Sequence, residues 1–286
     1  MIYLVNFANE DYRQQQKDCT RTALKYGKVD KVIEYTEHDL DSEYINSNIR
    51  IAYIKRGFGL WLWKPYLILK TIDSLHPGDI IVYADAGISF VNSITHLIPF
   101  LDKANNDILV FDYPLLNVDW TKAEAFKYAN FTPESNTRQI YGGFIILKVS
   151  DKSRTIVSEW YELCRDERIL SPKIFDKSLS EQPFFKAHRE DQSVLTIVAY
   201  KNGVSALPDP SDYGLFDFCF KQMGRCNLRP EHSRPYPTII LINRKVKSSL
   251  YRRRYRIKQI LHNLGLYNNC TLTLKNKLKS IIAIAN

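Results

Sequence analysis

The sequence predicts an α/β fold: a single domain with a mostly parallel central sheet flanked by helices. Three observations carry this. Short apolar runs such as IYLVNF at 2–7 and IIVYA at 80–84 have the length and continuity of strands buried on both faces. Amphipathic stretches of helical spacing alternate with them. Turn residues punctuate the boundaries, as in His76-Pro77-Gly78-Asp79.

The elements follow in order. After the first strand, Asn9 is placed as an N-cap, with Glu10 and Asp11 in the first helical turn. Tyr12, Cys19, Ala23 and Tyr26 then share one helical face, and Gly27 ends it. A short strand at Lys31–Tyr35 and an amphipathic stretch to Ile54 come next. Pro65 suits the first position of a helix striped by Ile68, Leu69, Ile72 and Leu75. Beyond IIVYA the pattern predicts a helix near 93–104, a strand at 107–112 and a strand at 140–149. A helix capped by Asp151 runs to about Arg165, another spans 190–201, and VSALP at 204–208 is a last strand. Residues 166–187 and 208–237 lack periodicity and read as long ordered loops over a site.

Charge divides the chain unevenly. It has 286 residues, 40 Lys+Arg and 31 Asp+Glu, a net of +9. Fifteen of the bases and only one acid, Glu231, fall in 221–286, so residues 1–220 carry five more acids than bases. This suggests a domain at 1–237 and a basic amphipathic extension at 238–286. From Arg244 to Lys258 there are eight bases and no acid, and Leu250, Ile257, Leu261 and Leu264 fall on one helical face. Such helices lie on anionic membranes, so 244–264 is read as a membrane-surface element, which LTLKNKLKSIIAIAN at the end repeats more weakly. Nucleic acid is disfavoured as a partner, because no reading motif accompanies the basic run and the body is acidic. No run approaches the length of a membrane span, and the N-terminus lacks the basic region of a signal peptide. The five cysteines are odd in number and scattered, which reads as reduced thiols in the cytoplasm.

Four segments can carry chemistry, each beside a bland alternative. Ligands of α/β sheets bind at the carboxyl ends of strands, where Asp85-Ala86-Gly87 stands: a carboxylate for a cation or a ribose hydroxyl, or simply a turn. Arg56-Gly57-Phe58-Gly59-Leu60-Trp61-Leu62-Trp63-Lys64-Pro65 sets cations and aromatic rings before a helix, as phosphate and base binding require, or forms a core-anchored loop. Gly142 and Gly143 permit close approach of a ligand or of a helix. His188-Arg189-Glu190-Asp191-Gln192 opens a helix with polar groups that suit either a helix start or a reactive edge.

Taken together, GFGLWLWKP at 57–65, GDIIVYADAG at 78–87, QIYGGFIIL at 139–147 and HREDQSVL at 188–195 resemble nucleotide-sugar glycosyltransferases of the GT-A fold, and especially bacterial enzymes of capsule and O-antigen synthesis. The resemblance runs from residue 1 to about 210. It implies hexosyl transfer from a UDP-linked donor to a saccharide or lipid-linked oligosaccharide acceptor, in the cytoplasm and peripherally on the inner face of the plasma membrane. It places Asp85 at the first position of an Asp-x-Asp motif that holds Mn²⁺ or Mg²⁺. Gly87 stands where the second Asp belongs, so His188 or Asp191 would have to complete the cation, or Lys64 and Arg56 replace its charge. The resemblance puts Phe7 and Asn9 at the nucleoside base, and Trp63 and Ala86 with them in the donor site. Gly142 and Gly143 lie beside the transferred sugar. Asp191, with Glu190 second, is the candidate catalytic carboxylate; inversion and retention both stay open. A non-catalytic sugar-binding relative is the alternative that Gly87 motivates.

Overall fold

The computed structural model describes residues 1–230, 233–243 and 248–268. Its centre is a five-stranded sheet in the order β2 (Lys31–Tyr35), β1 (Ile2–Phe7), β3 (Ile80–Ala84), β8 (Phe144–Lys148), β5 (Ile108–Leu109). β1 pairs in parallel with β2 and β3, whereas β8 runs antiparallel to both β3 and β5, so four of the five strands share one direction. Alternation along the strands divides the interior in two. Val5, Ile81, Tyr83, Ile145 and Leu147 face one core, and Leu4, Val82, Ala84, Phe144 and Ile146 face the other.

The first core is roofed by three helices: α2 (Trp63–Ser74), α3 (Asp151–Cys164) and α4 (Glu190–Lys201). A helix at Arg13–Thr22 covers the second through Cys19. β4 (Ile88–Phe90) follows β3 at once and pairs with β10 (Ile240–Ile242), so residues beyond 237 add a strand to the body. A third small sheet joins β6 (Phe111–Leu116) to β7 (Arg138–Ile140) and β9 (Leu207–Pro208). The last described helix, α5 (Ser248–Asn263), inserts Tyr255 against Phe216 and Leu241.

Several expected elements take a different form. The strand read at 140–149 is two strands in two sheets, β7 and β8, separated by a turn at Tyr141-Gly142-Gly143. The run at 107–112 likewise divides between β5 and β6. The helix near 93–104 shrinks to a 3₁₀ turn at Ile94–His96 and one helical turn at Ile98–Leu101. Ser150 rather than Asp151 caps α3, its hydroxyl accepting from Ser153 N in a capping box. Asn9 makes no capping bond, and a 3₁₀ turn precedes the helix at Arg13. Pro65 is the third residue of α2, not the first. Residues 269–286, with the weaker basic repeat, and Arg244–Lys247 lie outside the described residues.

Candidate active site

The carboxyl ends of β1 and β3 open into two adjoining cavities. The first, of about 440 Å³, is lined by Phe7, Asn9, Tyr12, Lys55, Phe58, Trp61 and Trp63, with Asp85, Ala86 and Gly87 at its floor. Phe7 stacks on Trp63, centroids 4.0 Å apart and planes 28° from parallel, and both rings also belong to the core. The second, of about 330 Å³, also touches Asp85 and Trp61 and adds Arg56, Lys64, Trp120, Tyr141, Gly142, Gly143 and residues 187–192.

The loop before α2 has an unusual backbone. Gly57, Phe58, Gly59, Leu60 and Trp61 all have positive φ, from 43° to 79°, and Trp61 N donates to Gly57 O at 3.2 Å. This is a left-handed turn in which three residues are not glycine. Each of those three costs about 1–2 kcal/mol, and tertiary packing holds them: Leu60 is buried, and Trp63 Nε1 donates to Gly57 O at 3.1 Å. Gly57 is required on a second ground, since a Cβ there would lie 2.4 Å from the Trp61 ring. The turn ends by aiming Lys64 inward from the first turn of α2.

Lys64 is 3% exposed and is the hub of the site. Its Nζ donates to Asp191 Oδ2 at 2.7 Å and to Gly142 O at 2.9 Å, and lies 3.5 Å from Asp85 Oδ1. Four segments far apart in sequence thus meet at one ammonium. Asp85 also accepts from the Tyr83 hydroxyl at 2.8 Å, and its N–H donates to Gly143 O at 2.9 Å. The glycine pair is what allows this approach. A Cβ on Gly143 would stand 2.8 Å from Asp85 Oδ2, and one on Gly142 3.4 Å from Asp191 Oδ2. Beside them Glu190, at φ 42°, accepts from Arg56 Nε at 2.6 Å.

Burial, opposed by Lys64, pushes the Asp191 carboxyl up to about 6, and Asp85 and Glu190 add repulsion in the same direction. Burial also raises Glu190 against the pull of Arg56. Three acids crowd two cations here, so Lys64 and Arg56 are already committed to carboxylates. Sequence reading missed Lys55, exposed at the rim of the aromatic cavity and without a carboxylate partner among the described residues. It also missed Gln192, whose Nε2 donates to Gln139 Oε1 at 2.9 Å, and Trp120, under the Arg189 guanidinium at 5.2 Å. Gln192 was legible only as one of a polar run; nothing marked Trp120 or Lys55.

His188 does not have the expected role. It is buried beside the sealed pair Lys122–Glu124, with Nε2 on Leu170 O at 3.1 Å and Nδ1 facing Lys122 N at 3.4 Å. Burial and the Lys122 charge push it down to about 3, so it is neutral and both ring nitrogens serve the fold. The ligand set for a divalent cation at Asp85 is correspondingly poor. Gly87 offers no side chain, Asp191 is bound to Lys64, and no group of three His, Cys, Asp or Glu suited to a metal occurs among the described residues. The residues present do not fit the cation.

No protein-family model matches the sequence, and no curated protein is similar to it in sequence. Similarity is found in solved structures. The apo form of mouse xyloside xylosyltransferase 1 superposes with a TM-score of 0.51 at 12% identity, over 85% of this chain and 98% of that one. The apo bifunctional glycosyltransferase WbbM superposes with a TM-score of 0.50 at 11% identity, over 86% of this chain and 46% of that one. The chain therefore shares the GT-A-like α/β fold of these glycosyltransferases.

Proposed function

We propose that this protein is a glycosyltransferase that moves a hexosyl group from a UDP-linked donor to a saccharide acceptor in cell-surface polysaccharide synthesis. The observation that carries the reading is the meeting of Asp85, Asp191 and the Gly142 carbonyl at Lys64 Nζ, directly beside a stacked aromatic pair. A planar base suits the cavity of Phe7, Trp61 and Trp63. Lys55 meets the diphosphate there, and Asp85 faces the ribose or sugar hydroxyls. The sugar enters the second cavity, against Gly142, Gly143 and Asp191.

In the reaction the bond from the anomeric carbon to the diphosphate oxygen breaks, its electrons leaving with the phosphate, and the acceptor oxygen bonds to that carbon. Positive charge grows on the sugar, and the carboxylates of Asp191, Asp85 and Glu190 stabilise it electrostatically. In an inverting geometry Asp191 takes the acceptor proton; its elevated affinity for a proton suits a base working near neutrality. In a retaining geometry its charge stabilises the sugar instead, and the acceptor proton passes to the departing diphosphate oxygen. No step is assigned to a metal. The basic helix α5, which exposes Leu250, Ile257 and Ile260, with Leu264 just beyond its end, holds the enzyme to an anionic membrane where lipid-linked acceptors reside. No helix among the described residues is long and apolar enough to cross a membrane.

A donor screen tests this: UDP-, GDP- and CMP-sugars, each with Mn²⁺ or with EDTA, read by mass-detected hydrolysis and transfer. Turnover of a UDP-hexose supports the reading. Sugar binding without turnover of any donor under either condition would favour the non-catalytic relative, which the lone Asp85 of the degenerate motif motivates.

A further inference from the structure

A third cavity, of about 230 Å³, lies where α5 meets the body, and it shares no lining residue with the two above. Three arginines line it, Arg234 from the body and Arg252 and Arg256 from α5, together with Asn92, Thr238 and Tyr26. No carboxylate among the described residues does.

None of the three arginines forms a salt bridge with a described residue. Arg234 is fixed by neutral acceptors: Nη1 donates to Ser211 O at 2.9 Å and Asp209 O at 3.2 Å, and Nη2 to Thr238 Oγ1 at 2.9 Å. Arg252 Nη1 is buried with no hydrogen-bond partner among the described residues, while its guanidinium lies 5.8 Å from the Tyr26 ring centroid. Arg256 makes no hydrogen bond or ion pair with a described residue. Three acids act on these cations from outside the cavity lining: Asp209 and Asp212, buried behind Arg234, and Asp18 towards Arg252, itself held by Arg21 at 2.9 Å and by the Ser248 hydroxyl at 2.8 Å. A buried guanidinium N–H without an acceptor is costly. Arg252 Nη1 is such a group, and with Arg256 and Arg234 beside it, around a cavity that no described carboxylate lines, it asks for an anion whose oxygens match the guanidinium fork.

We propose that this cavity binds a phosphoryl group, carried by a lipid headgroup or free in solution. The helix supplies a reason for the lipid source. Arg252, Tyr255, Arg256 and Gln259 line the cavity at spacings of three and four, and Leu250, Ile257 and Ile260, with Leu264 just past the helix end, form an exposed apolar stripe centred about 135° away around the axis, the two faces meeting at Arg256 and Ile260. A helix lying in the interface by that stripe brings the Arg256 edge of the cavity nearest the headgroups. The proposal rests on the membrane reading for the source of the phosphate only; the cavity stands without it.

The test compares two double variants of the full chain with equal charge loss: Arg252→Gln with Arg256→Gln in the cavity, and Arg253→Gln with Arg254→Gln on the same helix outside it. Inorganic phosphate is titrated calorimetrically. Binding is also measured to phosphatidylcholine vesicles carrying phosphatidic acid, and to vesicles matched in surface charge with oleate. The cavity pair is expected to weaken phosphate binding at least about tenfold, the loss of one charge-assisted hydrogen bond or more, and to remove the preference for phosphatidic acid over oleate. The control pair is expected to leave phosphate binding within about twofold and to weaken both vesicle types equally. Phosphate binding lost in the cavity pair with vesicle binding unchanged would support the cavity with free phosphate as its ligand, and would sink the membrane reading alone. Equal losses in the two pairs, or no phosphate binding by the unsubstituted protein, would overturn the proposal. Thermal unfolding confirms that each variant is folded.

Discussion

Two lysines among the described residues are buried against carboxylates, and they differ in what lies beyond the pair. Lys122 is fully buried; it donates to Glu124 at 2.9 Å and to Lys173 O, and Glu124 in turn accepts from Phe175 N and Asp176 N. Every bond there ties one piece of backbone to another, and the pair pins the loop after residue 170. Lys64 is buried nearly as deeply, but its acids crowd one another at the wall of a cavity. Burial of an ion pair is therefore no sign of function by itself. Excess like charge beside an open cavity is the better sign.

The largest expected effects set the two lysines apart. Asp191→Asn keeps shape and hydrogen bonding near Lys64 but removes a charge whose ionisation costs stability, so transfer should fall about 10²–10⁴-fold while the unfolding midpoint near neutrality does not fall. Lys122→Met should do the reverse. Leaving Glu124 buried without its partner costs about 3–5 kcal/mol of stability by denaturant titration, while the folded fraction keeps its specific activity. Activity lost in proportion to stability in both variants would erase the distinction.

A smaller effect belongs to the donor cavity. Lys55→Gln and Phe7→Ala should each raise the donor KM about tenfold with kcat nearly unchanged, as loss of binding common to ground and transition states requires.

The pH dependence sharpens the comparison further, because the two clusters titrate with opposite sign. Asp191 binds its proton more tightly in the fold, up to about 6 from 3.8, so its contribution to stability is full below pH 3.8 and is lost as pH rises to about 6. Activity that needs the carboxylate should climb over the upper part of that window, in a titration shared with Asp85 and Glu190. His188, held down to about 3 from 6.5, contributes stability that is present above pH 6.5 and lost as pH falls. Stability curves for Asp191→Asn and His188→Gln should depart from the unsubstituted protein in opposite directions between pH 4 and 6. Departures of the same sign would contradict the assignment.

The comparison also explains what could be read in the sequence. The strands at 2–7 and 80–84 and the helix at 190–201 were legible because apolar continuity and a helix stop at Asn202-Gly203 are local signals. So were the four segments that meet at Lys64, since chemistry at strand ends is a property of the fold class. The division of 140–149 into two strands was not: the apolar run continues past Gly142-Gly143, and only pairing with β6 on one side and β3 on the other decides where it bends. The left-handed turn at 57–61 was hidden because two of its five residues are glycine and the rest are held by tertiary packing. His188 and Lys122 share one cause. Nothing local distinguishes a side chain whose polar atoms face a cavity from one whose polar atoms are taken up by the fold, and Lys122 is 66 positions from its histidine.

The central claim is that the acids around Lys64 act on a nucleotide-bound sugar. The direct measurement is mass-detected turnover of UDP-hexose by the unsubstituted protein and by Asp85→Ala under identical conditions, with thermal unfolding as the control for folding. Turnover that falls at least about 10²-fold in the folded variant is the predicted result; turnover that persists unchanged would contradict the claim.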